Sequence, residues 1–251
     1  MIDGSFFLQR IKNWPGIEAK NSTSVKRAIV LMCQNHIRNL TGTGTDANWL
    51  DHVYRMFFYD AHPYEGAPFN PIGQRQINFS KSNEASFRRE LFDLLRKERK
   101  FALRLGILKA ERTWTPHDKK LKAMLKLCHH VEDIEKLIDG KATASDVDMD
   151  ALKVALSHWH NLSEDDVYFP LRQKGVDMKI GLDIASMTLK RQVDTIVLVT
   201  GDSDFVPAAK VARREGVEFI LDPMWQSVDG DLMEHIDGIA SGFDKPYRVK
   251  E

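Results

Sequence analysis

The chain has 251 residues, of which 43% are hydrophobic and 29% charged; this ordinary globular composition excludes disordered, collagen-like and disulfide-scaffold proteins. Its 36 basic and 36 acidic residues balance, and Cys33 and Cys128 lie far apart without a CxxC or CxxH pattern, which argues against a zinc knuckle and favours a reducing compartment. No stretch approaches the roughly 18 apolar residues of a membrane span, and residues 1–4 do not resemble a signal peptide, so we expect a cytoplasmic protein without a membrane partner.

The neutral net charge is unevenly distributed along the chain. Residues 81–126 contain 14 basic and 6 acidic residues, whereas residues 127–169 contain 3 and 10. Basic side chains in the first segment, such as Arg88 and Arg89, are candidates for phosphate contacts with RNA. A solvated helix face is an equally good interpretation, because interleaved acids such as Glu90 could form helical ion pairs with them.

The N-terminal half shows two predicted strands among helices. Asn21 to Ser24 supply N-cap residues for a helix that ends near Gly42. The apolar run Val53 to Tyr59 predicts a strand, and Phe101 to Ile107 alternates as a second strand does. Residues 63–82 collect Pro, Gly and Asn, which indicates a loop, and helices are predicted over 84–100, 118–138 and 148–162.

The C-terminal third alternates helices with short apolar strands. Helices are predicted over 174–192, 205–215 and 226–239, and buried strands over 195–199 and 217–221. This alternation indicates an α/β fold with a mainly parallel sheet covered on both faces. We expect one domain over residues 1–251, with a helical insertion at about 84–162 that could serve a protein partner or a homo-oligomer contact.

Four aspartates follow strands or begin helices, where an open parallel sheet binds its ligands. Asp3 follows the short Met1-Ile2, which is either a very short strand or one that begins upstream of Met1. Asp202 and Asp204 follow the strand at 195–199, and Asp177 begins the preceding helix. Each also has a structural explanation, since Asp177 and Asp204 could be N-caps and Asp202 could form an Asx turn.

Two acids within Gly201-Asp202-Ser203-Asp204 exceed what one helix cap requires. Converging carboxylates repel each other unless a cation neutralises them, and their hard oxygen atoms favour Mg²⁺ or Mn²⁺. Such an ion suits phosphodiester hydrolysis by a metal-activated water. The sequence offers no GxSxG serine, Walker loop or GxGxxG motif as another catalyst.

Two segments carry a family resemblance. Arg172-Gln173-Lys174-Gly175-Val176-Asp177, continuing to Ile184, and Thr195 to Pro207, with its GDSDF motif, resemble the NYN-domain family of the PIN-like nucleases, in its LabA-like branch. Weaker similarity extends to Asp3-Gly4-Ser5 and Tyr59-Asp60-Ala61. The family pattern D-G-x-N has asparagine at the position of Phe6.

The resemblance implies a PIN-like three-layer α/β/α fold and a metal-dependent ribonuclease. Asp3, Asp177, Asp202 and Asp204 would be the catalytic, metal-binding acids. Lys174 would lie near substrate phosphate, and Ser5 or Ser203 would orient ligands. Asp183 also fits the pattern, but it lies about 240° around the helix from Asp177, so a structural carboxylate paired with a base such as Lys179 or Arg191 is the better interpretation.

Three functions compete at this point. The first is a Mg²⁺- or Mn²⁺-dependent endoribonuclease. The second is a non-catalytic RNA- or protein-binding module of the same fold, in which Phe6 and the short first strand would account for the loss of catalysis. The third, a phosphatase of the haloacid dehalogenase type, is the weakest, because Asp3-Gly4-Ser5 lacks the second acid of the D-x-D motif.

Overall fold

The structure, a computed structural model, describes residues 1–42, 48–111 and 113–246. Within them, no helix combines the length and apolar character that crossing a membrane requires. In chain order the helices and strands are β1 (Ile2–Asp3), α1 (Gly4–Arg10), α2 (Ser22–Thr41), β2 (Met56–His62), β3 (Phe69–Asn70), β4 (Arg75–Gln76), α3 (Asn83–Arg96), β5 (Phe101–Ala110), β6 (Thr115–Pro116), α4 (Asp118–Leu125), α5 (Val131–Ile138), α6 (Met149–His160), β7 (Val167–Tyr168), β8 (Leu171–Lys174), α7 (Val176–Leu189), β9 (Thr195–Val199), α8 (Val206–Arg214), β10 (Glu218–Asp222), α9 (Gly230–Glu234) and β11 (Gly238–Ile239).

The chain divides into two compact units. Unit 1 comprises residues 1–65, 79–109 and 173–251, and unit 2 comprises residues 66–78 and 110–172. Helix α3, at the start of the predicted insertion, lies in unit 1. The single domain over 1–251 and the bounds of its insertion remain predictions.

Unit 1 is built on a seven-stranded sheet in the order β11-β10-β9-β1-β2-β5-β8. The pairs from β11 to β5 are all parallel. The mainly parallel α/β sheet predicted from the sequence is therefore confirmed. Because the strands are parallel, the residues that follow β1, β2, β9 and β10 come to the same edge.

Helices cover both faces at the centre of the sheet, which is why β9 and most of β2 are apolar. Along β2, Phe58 packs into one core with the buried residues of α1, α2 and α3. Its neighbours Phe57 and Tyr59 point the other way, into a core with α7 and α8. The period of two thus sends successive side chains of one apolar run into opposite cores.

The largest departure from the predicted elements in unit 1 is near the C-terminus. The predicted helix over 226–239 is wrong, since only Gly230–Glu234 is helical and β11 follows it. Asp237 explains the early end: its carboxylate accepts from the Phe219 N–H at 2.8 Å, and its own N–H donates to the Phe219 carbonyl at 2.8 Å. These bonds attach the segment at Asp237 to β10, so the chain continues as the edge strand β11 instead of as a helix.

Unit 2 contains α4, α5 and α6 with four short strands. The predicted helix over 118–138 is interrupted by a 3₁₀ segment at Lys126–His130. The Met124 carbonyl, which a continuous helix would bond to the Cys128 N–H, accepts instead from the Trp159 indole at 3.0 Å. The helices expose Ile138, Val154 and Leu125; a protein partner at this unit stays a prediction.

Candidate active site

An open cavity of about 620 Å³ lies in unit 1 at the edge where β1 and β9 end. Three of the four predicted metal-binding acids, Asp3, Asp177 and Asp202, contribute to it. Its full lining is Asp3, Ser5, Phe6, Gln9, Arg10, Asn13, Gln173, Asp177, Thr200, Gly201, Asp202 and Gln226.

Asp3 is held at the base of this cavity by the sheet and by α1. It pairs with Tyr59 across the β1–β2 ladder, and Ile2 pairs with Val199 on the other side. Its carboxylate is the N-cap of α1, accepting from the Phe6 N–H at 3.1 Å. Burial, with a smaller contribution from the negative charges of Asp177 and Asp60, raises the pKa of Asp3 from an ordinary 3.8 to about 6.

Asp202 reaches the cavity from the turn after β9. Its carboxylate accepts from the Asp204 N–H at 3.0 Å, so the predicted Asx turn is confirmed. Its own N–H donates to the Thr200 hydroxyl at 3.3 Å. Asp202 is exposed, which leaves its carboxylate accessible from the cavity.

The capping explanations for Asp177 and Asp204 are wrong. The N-cap of α7 is Gly175, in a left-handed conformation at φ 78°, and the N-cap of α8 is Phe205. Asp177 lies in the first turn of α7 and lines the cavity, whereas Asp204 lines a shallow neighbouring depression together with Asp177 and Phe205. Thus Asp204 does not share the cavity of the other three acids.

Asp60, at the carboxyl end of β2, is a fully buried acid close to the cavity. Burial raises its pKa, against the opposing effect of Arg88. Its carboxylate forms an ion pair with Arg88 and accepts from Gln173 Nε2 at 2.9 Å. Because Gln173 lines the cavity, Asp60 helps to position this side chain of the cavity wall.

The predicted substrate contacts fall in different places. Ser5 lines the cavity, while Lys174 and Ser203 are exposed outside its lining. Arg88 is engaged by Asp60 and by Glu84 at 2.7 Å. The exposed Arg89 donates to the Ser80 carbonyl at 2.8 Å.

Asp183 is a paired carboxylate in unit 1. It accepts from the Tyr59 hydroxyl at 3.0 Å and forms an ion pair with Arg104 at 2.9 Å. Its structural role is therefore supported, with Arg104 as its base rather than Lys179 or Arg191.

Gly201 has a spatial role in the cavity. A Cβ atom at this position would lie 2.8 Å from the Phe6 ring and 3.0 Å from Gln226 Nε2. The glycine therefore allows the turn after β9 to approach the wall formed by α1.

The acids supply the oxygen donors that Mg²⁺ and Mn²⁺ prefer. The raised pKa of Asp3 also fits a carboxylate that a bound cation would stabilise. Within the described ranges, however, no three His, Cys, Asp or Glu side chains are close enough together to hold a metal ion. The donor type therefore fits a divalent ion, but the described side chains do not converge on one point.

Residues 132–233 match the family model of the NYN domain. NYN domains have a PIN-like fold and are in general nucleases, and the α/β architecture described above agrees with that class. No curated protein and no solved structure matches the chain. The match contains Asp177, Asp202 and Asp204 but not Asp3, and no named relative supports the LabA-like branch, which stays a prediction.

Four residues at or beside the cavity were not among the residues predicted for the site: Asp60, Thr200, Gln173 and Arg10. Asp60 and Thr200 directly follow predicted strands, so the rule that selected Asp202 also applies to them. Gln173 and Arg10 carry no such signal, because their position at the cavity depends on strand β8 and helix α1, neither of which was predicted.

Proposed function

We propose that this protein is a divalent-metal-dependent endoribonuclease that hydrolyses RNA phosphodiesters. The observation that carries this proposal is that Asp3, Asp177 and Asp202, from three separate segments, line one open cavity at the carboxyl edge of a parallel sheet. The NYN match over residues 132–233 supports the same chemistry and the choice of RNA.

We propose Asp3, Asp177 and Asp202 as the carboxylates that hold Mg²⁺ or Mn²⁺, with Asp204 as an outer acid. When bound, the ion supplies charge neutralisation at the phosphate and a lowered pKa for an attacking water. Asp3 is fixed by its bonds to Phe6 and Thr200. Asp177 and Asp202 are exposed, and we propose that their side chains turn toward Asp3 when the ion binds, with one oxygen of Asp202 remaining on the Asp204 N–H.

The proposal is tested by removing one carboxylate without disturbing the turn that carries it. Asp202→Asn keeps an oxygen that accepts from the Asp204 N–H, so the fold is preserved. We expect this variant, assayed on a labelled single-stranded RNA with Mg²⁺ or Mn²⁺, to lose at least about a hundredfold in cleavage rate, and EDTA to abolish cleavage by the unaltered protein.

Asp194→Asn is the matched control. Asp194 immediately precedes β9, whereas Asp202 follows its carboxyl end, so the same charge is removed at the opposite edge of the sheet. We expect wild-type cleavage from this variant. Metal-independent cleavage, or equal losses in the two variants, would contradict the proposal.

The alternative is a non-catalytic RNA-binding module of the same fold. Phe6 favours it, because this apolar ring lines the cavity where the family pattern has an asparagine. RNA binding without metal-dependent products would support the alternative. Phe6→Asn separates the two further, since gain of cleavage in this variant alone would identify Phe6 as the residue that silences the site.

A further inference from the structure

One wall of the cavity is a face of α1 and of the 3₁₀ turn that continues it. Phe6, Gln9, Arg10 and Asn13 recur at the spacing of a single helical face, and all four line the cavity. The other face of this segment, with Phe7, Leu8 and Ile11, is buried in the core. The core therefore fixes which side chains α1 presents to the cavity.

Arg10 is the single basic side chain among the described residues that line this cavity. One of its terminal nitrogens, Nη2, donates to the Met224 carbonyl at 2.7 Å. Its Nε is buried and has no hydrogen-bond partner in the described part of the chain. No carboxylate of those residues lies within ion-pair distance of Arg10, so this arginine forms no ion pair, although three aspartates line the same cavity.

Other arginines near this edge of the sheet are neutralised within the protein. Arg88 is paired with Asp60 and Glu84, and Arg104 with Asp183. Arg10 differs from both because it lines a cavity and retains donors that no group in the described part of the chain uses. Because Nε is buried, an anionic ligand in the cavity would bind the outer guanidinium nitrogens, and Nη1 has no hydrogen-bond partner among the described residues.

The neighbours of Arg10 on the cavity wall are neutral donors. Asn13 and Gln226 both line the cavity with carboxamide groups, and Gln226 follows the Met224 carbonyl that anchors Arg10. A planar guanidinium together with amide N–H groups is a donor set that matches phosphate oxygens.

We propose that Arg10, with Asn13 and Gln226, forms a phosphate-binding subsite for the RNA backbone in the cavity that the carboxylates line. The assignment of the phosphate to RNA rests on the proposed function. The subsite offsets the repulsion that Asp3, Asp177 and Asp202 exert on a polyanion, and it holds the strand across the cavity so that a phosphodiester meets the acids.

Binding of RNA tests the subsite without cleavage. The probe is a fluorescein-labelled ten-nucleotide oligouridylate, titrated by fluorescence polarisation in EDTA against proteins that carry Asp202→Asn. We expect Arg10→Gln to weaken binding by about tenfold or more and to reduce the salt dependence by about one phosphate contact. Arg10→Lys should retain part of the affinity, since lysine keeps the positive charge but lacks the planar guanidinium that can donate two parallel hydrogen bonds to a phosphate.

Lys12→Gln is the matched control, because Lys12 is an exposed base two residues away that does not line the cavity. It removes the same charge, so it should reproduce only the long-range electrostatic loss. Equal weakening by Arg10→Gln and Lys12→Gln, with both proteins folded by circular dichroism, would overturn the subsite.

Inorganic pyrophosphate separates this inference from the nuclease proposal. In calorimetric titrations we expect the unaltered protein and Lys12→Gln to bind pyrophosphate, and Arg10→Gln to lose that binding. If this pattern is found in a protein that does not cleave RNA, the nuclease proposal fails and the subsite stands. If Arg10→Gln binds both pyrophosphate and RNA as the control does, or if the unaltered protein binds neither, the subsite is wrong whatever the cleavage assay shows.

Discussion

The Thr200 hydroxyl donates to Asp3 Oδ2 at 3.4 Å while it accepts the Asp202 N–H at 3.3 Å. Thr200 is fully buried at the end of β9, so this hydroxyl connects two acids that are about two hundred positions apart in the sequence. It can position Asp3 and Asp202 together without contacting substrate.

Thr200→Val should therefore impair the proposed cleavage more than it impairs folding. The substitution keeps the branched shape and removes the hydroxyl, leaving the Asp202 N–H without its acceptor. We expect a loss of about 1 kcal/mol in the free energy of unfolding and a fall of about tenfold in kcat, with KM little changed, measured on the same RNA substrate.

Thr200→Ser and Thr195→Val are the controls. Serine restores the hydroxyl and should recover kcat. Thr195 begins the same strand and donates to Glu218 at 2.9 Å, so its replacement removes a hydroxyl from the distant edge of the sheet. If Thr195→Val lowers kcat as much as Thr200→Val does, Thr200 has no positioning role.

Burial of Asp3 makes its ionised carboxylate unfavourable in the folded state, so it lowers the free energy of unfolding at neutral pH. Because the pKa is about 6 in the folded protein and 3.8 ordinarily, the folded state holds the proton more tightly between these values. Stability therefore falls as pH rises from about 4 to 6, and the penalty is fully present above 6. We expect Asp3→Asn, which can still cap α1, to raise the free energy of unfolding by up to about 3 kcal/mol at pH 8 and to change it little at pH 4.

Urea unfolding at the two pH values measures this difference, without divalent ions in the buffer. Gln is not a suitable replacement, because its longer side chain would disturb the cap. A gain of equal size at pH 4 and pH 8 would show that the carboxylate charge is not its cause.

Arg88 and Arg89 give a direct comparison between a structural and a surface base. Arg88 pairs with the fully buried Asp60, whereas Arg89 is exposed. Arg88→Ala leaves a buried carboxylate without its partner, so we expect it to cost about 3 to 5 kcal/mol of unfolding free energy. Arg89→Ala should stay within about 0.5 kcal/mol of the unaltered protein.

Urea denaturation followed by circular dichroism checks both variants, and Asp60→Asn with Arg88→Met in one protein supplies a further test. Replacing both partners should recover part of the stability that Arg88→Ala loses, because no unpaired charge then remains. Similar effects of the two single arginine changes would contradict the role given to Asp60.

The strands that carry the acids could be predicted from sequence because burial on both faces requires uninterrupted apolar runs. The run 195–199 coincides with β9, and the aspartates after it therefore fall at the ligand-binding edge. The nearby sequence is enough to predict Asp202 and its Asx turn, since both lie within a few residues of the end of the strand.

The rest of the site depends on long-range packing that local patterns do not encode. Arg10 reaches the cavity because Phe7 and Ile11 face the core, in a seven-residue helix too short to show a clear period. The ion pair of Arg88 with Asp60 joins β2 to α3, so the charge pattern alone could not distinguish Arg88 from Arg89. The same limit applies to Asp177 and Asp204, since capping is decided by which backbone groups a turn leaves exposed.

The effect of Gly201→Ala on the free energy of unfolding should depend strongly on the side chain at position 6. The added Cβ would lie 2.8 Å from the Phe6 ring, so the ring or the turn after β9 must shift. We expect a cost of about 1 to 3 kcal/mol, and a much smaller cost when Phe6→Ala has already removed the ring. Unfolding of the two single variants and the double variant gives this coupling as a double-mutant cycle.

Gly181→Ala is the control, because Gly181 lies in α7 with open space around its Cβ position. Alanine there should stabilise the helix by up to about 1 kcal/mol. Additive costs at positions 6 and 201 would mean that the glycine is required by the turn rather than by the approach of Phe6.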